Sequence, residues 1–249
     1  MPDLSQRANL DAVTELMDGP CSYEELRACL RDIAKVNALT FAHRPTLAFL
    51  ERATERRIAD EAEGAYSAID SGPIRIVDVG CGYGDMLRRI GRWARRRGIA
   101  VELTGIDLNP RARQAAPADE IPIRWVTADI LSYRPAERPD IVLSSLFAHH
   151  LDDAAIVRFL AWMEAEAALG WFLSDLQRHP LPYDLFRLLA KIARWHRFVR
   201  HDGPVSISRA FVRADWRRYL AAAGLDTAQV AIEWHLPFRL CLARLRGAS

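Results

Sequence analysis

One stretch of the chain, Ile74 to Asp85 (I-R-I-V-D-V-G-C-G-Y-G-D), leaves few options for what can surround it. Ile74, Ile76, Val77 and Val79 form a short apolar, β-branched run of the kind buried in a parallel sheet. The run leads into Gly80, Gly82 and Gly84, and then into Met86, Leu87 and Ile90, which carry the apolar stripe of a helix. Strand, glycine loop and helix in that order form a unit whose helix N-terminus commonly receives a nucleotide-like ligand. Glycine lets the backbone of such a loop approach a ligand that a Cβ would keep away. At 249 residues, half of them apolar, the chain is long enough for one α/β domain with a large core and has little left for a second.

The loop reads G-x-G-x-G, not the G-x-G-x-x-G of a dinucleotide turn. Asp78 stands two residues before its first glycine and Asp85 directly follows its last, a poor setting for a diphosphate and a workable one for a cationic amine. Taken alone, the stretch leaves an NAD-type turn or a purely structural glycine turn open. Further along, Val101, Leu103 and Ile106 form a second strand, closed by Asp107. A carboxylate there accepts both hydroxyls of a ribose or caps the helix near Arg111, although Asn109-Pro110 already supplies a cap and first turn. A third strand, Ile123 to Val126, runs into Thr127-Ala128-Asp129-Ile130, and a fourth, Asp140 to Ser144, into S-S-L-F-A-H-H-L. These segments fall at successive strand ends, where open α/β sheets bind their ligands.

The residues D-V-G-C-G-Y-G resemble motif I of the class I S-adenosylmethionine (SAM) methyltransferases, a resemblance covering about residues 74 to 246 and strongest over 74 to 151. It implies SAM as cofactor, with Asp78, Gly80, Gly82 and Gly84 along its methionine part and Asp107, beside Leu108, on its ribose. Asp129, beside Ile130, matches the acid that receives the adenine amino group, its other reading being an ordinary loop aspartate. Ser144 and Ser145 would offer backbone carbonyls to the methionine amine. The H-H-L triplet is similar to the equivalent segment in methyltransferases of ubiquinone and menaquinone biosynthesis. His149 and His150 would then act as general base toward a substrate hydroxyl, or merely shape the pocket before a helix capped by Asp152.

The fold class expected is α/β: a Rossmann-like, seven-stranded, mostly parallel sheet with an antiparallel edge strand, helices on both faces and a helical cap. Residues 1–70 are expected to form an N-terminal helical cap, and 71–249 the SAM-binding domain with a lid insertion at about 180–210. Residues 1–20 read as a loosely held lead-in. From Ser22, with Glu25 as capping-box partner, Leu26, Leu30, Ile33 and Val36 recur at helical spacing, and a second helix spans roughly Pro45 to Ile69. Helices placed before the first strand often cover the active site in the class resembled. Asn37, His43, Arg44 and Thr46 are therefore candidates to touch ligand, with loop caps as the other reading.

The arginine-rich end of the helix Asp85 to Arg97 reads as a solvated face that complements the helix dipole. After a fifth strand at Trp171 to Leu173, the stretch Leu181 to Val199 is read as one amphipathic helix. It packs on the core, lids an apolar substrate, or rests on an anionic membrane as a peripheral contact. The segment 201–211, H-D-G-P-V-S-I-S-R-A-F, reads as a loop offering His201, Asp202, Ser206 and Arg209 as substrate contacts. A helix from Phe211 to Ala223, stopped by Gly224, and a hairpin around Pro237 close the chain.

A formal net charge of +2 argues against a protein built to coat nucleic acid. Four cysteines without metal-ligand spacing, and no signal peptide, suggest reduced thiols in a cytoplasmic protein with no metal. The function expected is SAM-dependent methyl transfer to a small, largely apolar acceptor, a phenol or hydroxyquinone oxygen. RNA or protein methylation and a catalytically silent SAM-binding scaffold are the rivals, and the oligomeric state is not readable from the sequence.

Overall fold

The computed structural model describes residues 3–10, 13–19, 21–62, 72–117 and 121–246. Its centre is a seven-stranded sheet made of β1 (Ile74–Val79), β2 (Val101–Asp107), β3 (Ile123–Thr127), β4 (Ile141–Ser145), β5 (Gly170–Leu176), β6 (Ala231–His235) and β7 (Arg239–Leu245). The order across the sheet is β3-β2-β1-β4-β5-β7-β6. β1 to β5 are parallel, and the terminal hairpin adds β7 antiparallel to β5. The expected sheet is therefore the one observed.

Alternation along the central strands sends neighbouring side chains to opposite faces, and each face has its own core. Ile76, Leu143 and Phe172 belong to one, covered by α2 (Arg44–Ala62) and α3 (Asp85–Arg97). Val77, Val142, Trp171 and Leu173 belong to the other, covered by α5 (Asp153–Glu166) and α8 (Arg213–Ala222). α1 (Tyr23–Leu39), α6 (Pro180–Ile192) and α7 (Arg197–Arg209) complete the longer helices, and the short α4 (Pro110–Ala115) follows β2. The capping box of Ser22 and Glu25 forms at the start of α1, and Asn109 caps α4 by accepting from Arg111 N at 3.0 Å.

Three expectations change. First, α2, expected within the N-terminal cap, covers the sheet: Phe49, Leu50 and Ala53 have no exposed surface, and Phe49 stacks on Phe172 of β5 at 5.1 Å. The core therefore continues across the boundary expected at residue 70, and the rest of the helix expected to reach Ile69 lies outside the described residues. Second, the helix expected over 181–199 is two helices, with Arg194 at a φ of 51° between them, and α7 includes most of the segment read as a loop. Gly203-Pro204 looks like a helix breaker. Gly203 instead lets α6 and α7 meet, since a Cβ there would lie 2.0 Å from the Phe186 ring.

Third, the lead-in is pinned. Arg7 donates to Leu151 O (2.6 Å) and Arg209 O (2.7 Å), Arg209 donates to Val13 O, and Asp202 accepts from Leu16 N (2.8 Å) and Met17 N (3.0 Å). Together with α1, α6 and α7, this segment covers the C-terminal ends of the strands.

Candidate active site

Beneath that cover lies a cavity of about 830 Å³. Gly80 forms part of its wall at a φ of +67°, and a Cβ there would sit 2.6 Å from the Phe147 ring, so glycine is required both for the turn and for the approach of Phe147. The loop is tied to the end of β2: Gly82 N donates to Asp107 Oδ2 (2.8 Å), and Asn109 N donates to Asp107 Oδ1 (2.9 Å). Since Asn109 caps α4, Asp107 is left to face the cavity.

The charges in this wall favour a cationic ligand. Burial pushes the Asp78 carboxyl well above its ordinary range, and the charges of Asp85 and Asp107 push it further. Burial likewise raises Asp85, against the pull of Arg88 and Arg89 and a hydrogen bond from Asn37, and raises Asp107 against its two backbone bonds. Three neighbouring carboxyls that resist ionisation match a ligand carrying an ammonium group, as the methionine end of SAM does. Ser145, also in the wall, has a buried Oγ with no partner among the described residues. Leu108, 71% exposed, and the buried Ile130 line the same end, while Asp129 Oδ1 accepts from Leu131 N at 3.0 Å.

Across the cavity, His149 Nδ1 lies 2.7 Å from Asp175 Oδ1. Asp175 is fully buried and also accepts from His149 N (3.1 Å) and Leu176 N (2.7 Å). Burial pushes its carboxyl up, but the His149 imidazole and these hydrogen bonds outweigh it and hold the group below its usual range. An ionised Asp175 keeps the His149 proton on Nδ1 and leaves Nε2 as the basic nitrogen. His150 sits alongside, the two rings 4.3 Å apart, with Glu15 Oε2 3.8 Å from His150 Nδ1. Donor atoms of Glu15, His149 and His150 lie within 4.8 Å of one another, a grouping of possible metal ligands that sequence spacing did not reveal. In that grouping Glu15 Oε1 accepts from Ser206 Oγ at 2.8 Å.

Most of the residues singled out from sequence meet here. Gly80, Gly82, Asp107, Leu108, Asp129 and Ile130 line one end, and Ser145, His149, His150 and Asp202 the rest. Asp78 lies outside the lining, 2% exposed, and Gly84 caps α3 with its Cα against Trp125. Asn37 lines the cavity, whereas His43, Arg44 and Thr46 do not. The segment 201–209, read as a loop, is helical: His201 pairs with Asp202 at 2.8 Å, Arg209 ties down the N-terminal segment, and Asp202 and Ser206 line the cavity. Asp175 was legible as a polar strand end, S-D-L-Q, but was not singled out, and Glu15 carries no local signal.

Residues 76–166 match a family described as methyltransferase domain. A trans-aconitate 2-methyltransferase of Streptomyces avermitilis is 30% identical over 162 residues, 57% of this chain and 55% of that protein, so the match spans about half the length of the curated relative. Among solved structures, the plantazolicin methyltransferase BpumL in complex with a triazolic desmethylPZN analog and SAH is similar with a TM-score of 0.56 and 16% identity. The match covers 89% of this chain and 97% of that one. The same enzyme in complex with SAH alone gives 0.54 at 15% identity, with 89% and 96% covered. At such identity the structural likeness concerns the fold alone. The matched segment carries the glycine loop and the strand ends at Asp107, Asp129 and Ser145, so the similarity to a methyltransferase domain falls on the part of the fold that lines the cavity.

Proposed function

We propose that the protein is an enzyme that transfers a methyl group from SAM to the hydroxyl oxygen of a small, largely apolar acceptor of the phenol or hydroxyquinone type, with His149 as general base. The observation that carries this reading is the buried Asp175–His149 pair facing the same cavity as the acidic glycine-loop wall. SAM, when bound, supplies a methyl group on a sulfonium. The backbone of Gly80 and Gly82 would hold its methionine part, Asp107 its ribose, and Leu108, Asp129 and Ile130 its adenine. His149 Nε2 takes the acceptor's hydroxyl proton, and Asp175 stabilises the imidazolium without touching the acceptor, as a positioning residue. The cover of α1, α6 and the N-terminal segment excludes water and aligns the reactants, where most of the acceleration of such a displacement arises.

Four free thiols, three of them buried, support a cytoplasmic setting. Among the described residues no helix is long and apolar enough to cross a membrane. The exposed leucines of α6 support a peripheral contact with an anionic bilayer from which an apolar acceptor enters.

The test is transfer of labelled methyl from SAM to a panel of phenols and hydroxyquinones. We expect His149→Ala to lower kcat about 10²–10⁴-fold. Asp175→Asn should lower kcat with little change in KM and displace the alkaline-rising limb of the pH–rate profile. Full activity in His149→Ala would remove the base. Label appearing only in the RNA or protein of a lysate would replace the acceptor class, and SAH binding without transfer to any fraction would leave a silent scaffold.

A further inference from the structure

Among the described residues the buried arginines are Arg57, Arg88, Arg178, Arg209 and Arg239. Four have their guanidinium groups engaged by protein oxygens. Arg57 donates to Gly72 O, Arg88 to Tyr83 O, Arg178 to Ala210 O and Asp215, and Arg209 to Leu10 O and Val13 O. Arg239 differs. It is 3% exposed and lines the cavity, its Nε is wholly buried without a partner, and no hydrogen bond or ion pair reaches its guanidinium from the described residues. A guanidinium stays charged in a protein, and a buried charge without a partner is costly.

Burial works against the charge of Arg239, and Cys241 and Asp175 favour it only through space; both carboxylate oxygens of Asp175 are already engaged by His149 and Leu176. Arg239 opposes Leu176 in the β5–β7 register, one position from Asp175, so it stands beside the residue that anchors the proposed base. It is also remote from the cofactor wall. β7 is the third strand from β1 in the order β1-β4-β5-β7, about 14 Å away at the usual strand spacing.

We propose that Arg239 is a carboxylate-binding residue for the methyl acceptor, so that the acceptor is a small hydroxy acid with an apolar body. The acid group pairs with the guanidinium, a geometry suited to two parallel N–H···O bonds, while its hydroxyl is presented to His149. The carboxylate is a handle and not the methylated oxygen, since the base serves the hydroxyl. This inference rests on the methyl-transfer reading only for the acceptor's role; the anion site itself stands on Arg239.

The test uses the protein loaded with SAH. Benzoate, salicylate, 4-hydroxybenzoate and 3-phenylpropionate are titrated by calorimetry beside their primary amides, on the wild type, Arg239→Met and Arg239→Lys. We expect at least one acid to bind about tenfold or more tighter than its amide. That preference should vanish in Arg239→Met and persist in part in Arg239→Lys, with the affinity for SAH unchanged. Equal binding of every acid and amide by the wild type overturns the site, even if Arg239→Met fails to fold. Loss of SAH affinity in Arg239→Met also overturns it, by moving the guanidinium to the cofactor's own carboxylate. Acid-selective binding without methyl transfer to the hydroxy acids would keep the anion site and sink the methyl-transfer reading instead.

Discussion

Asp85 and Asp107 line one wall with Asp78 buried behind it, and burial raises all three carboxyls above their ordinary range. A carboxyl with a raised folded pKa holds its proton more tightly folded than unfolded. Its contribution to stability therefore falls as pH rises from the unfolded pKa through the folded one. A ligand bringing an ammonium group reverses this by favouring the ionised forms. SAH should accordingly bind more tightly as pH rises through that window, by about fivefold or more across it, releasing protons as it binds. Calorimetry in two buffers of different ionisation enthalpy measures both effects. A flat affinity with no proton release would mean that the acidic wall does not hold the amine. Asp78 is outside the cavity lining, so Asp78→Asn should reduce the proton release while leaving the ribose acid Asp107 in place.

At the level of elements, what was legible followed local chemistry. The strand ends carrying Gly80, Asp107, Asp129 and His149 were readable because β-branched runs stop abruptly at glycine or acid, and sheets of this kind bind ligands at those ends. What was not legible depended on partners distant in sequence. The helical state of 201–209 goes with Phe186 lying over Gly203, the placement of Val13, Leu16 and Met17 depends on Arg209 and Asp202, and the buried cation of the cavity, Arg239, comes from a strand, β7, that reads simply as apolar.

α6 lies between these cases. Its amphipathic pattern was visible, yet Leu188 and Ile192 end up 56% and 68% exposed with Arg187 and Lys191 on the same helix. A helix of this kind binds anionic bilayers through buried apolar area and basic side chains together. Leu188→Glu with Ile192→Glu should therefore lower cosedimentation with phosphatidylglycerol vesicles about tenfold or more, and salt should weaken the wild-type binding. Absence of wild-type binding to such vesicles would assign the face to another partner.

Across the whole molecule, the two cores on either side of the sheet make unequal demands on the N-terminal region. α1 contributes Leu26, Cys29 and Leu30 to small clusters on the ligand side, packed with Ala115, Phe198 and Val199. α2 contributes Phe49, Leu50 and Ala53, none with exposed surface, to the core under β1, β4 and β5. Uncovering a buried Phe or Leu position costs about 2–5 kcal/mol for each side chain lost, against a total stability of about 5–15 kcal/mol for a domain. Removal of residues 1–40 should leave a protein that melts cooperatively at a lower temperature and has lost cavity residues such as Glu15 and Asn37, hence binds SAH weakly. Removal of residues 1–71 strips the cover from Phe172 and should leave a chain with no cooperative transition. Circular-dichroism melts and amide shift dispersion on the two truncations decide the matter. A cooperative melt in the shorter chain would make α2 part of a detachable cap and restore the division at residue 70. Its loss, with the longer chain still folded, would place the structural boundary between α1 and α2, leaving α1 as the element that closes over the ligand.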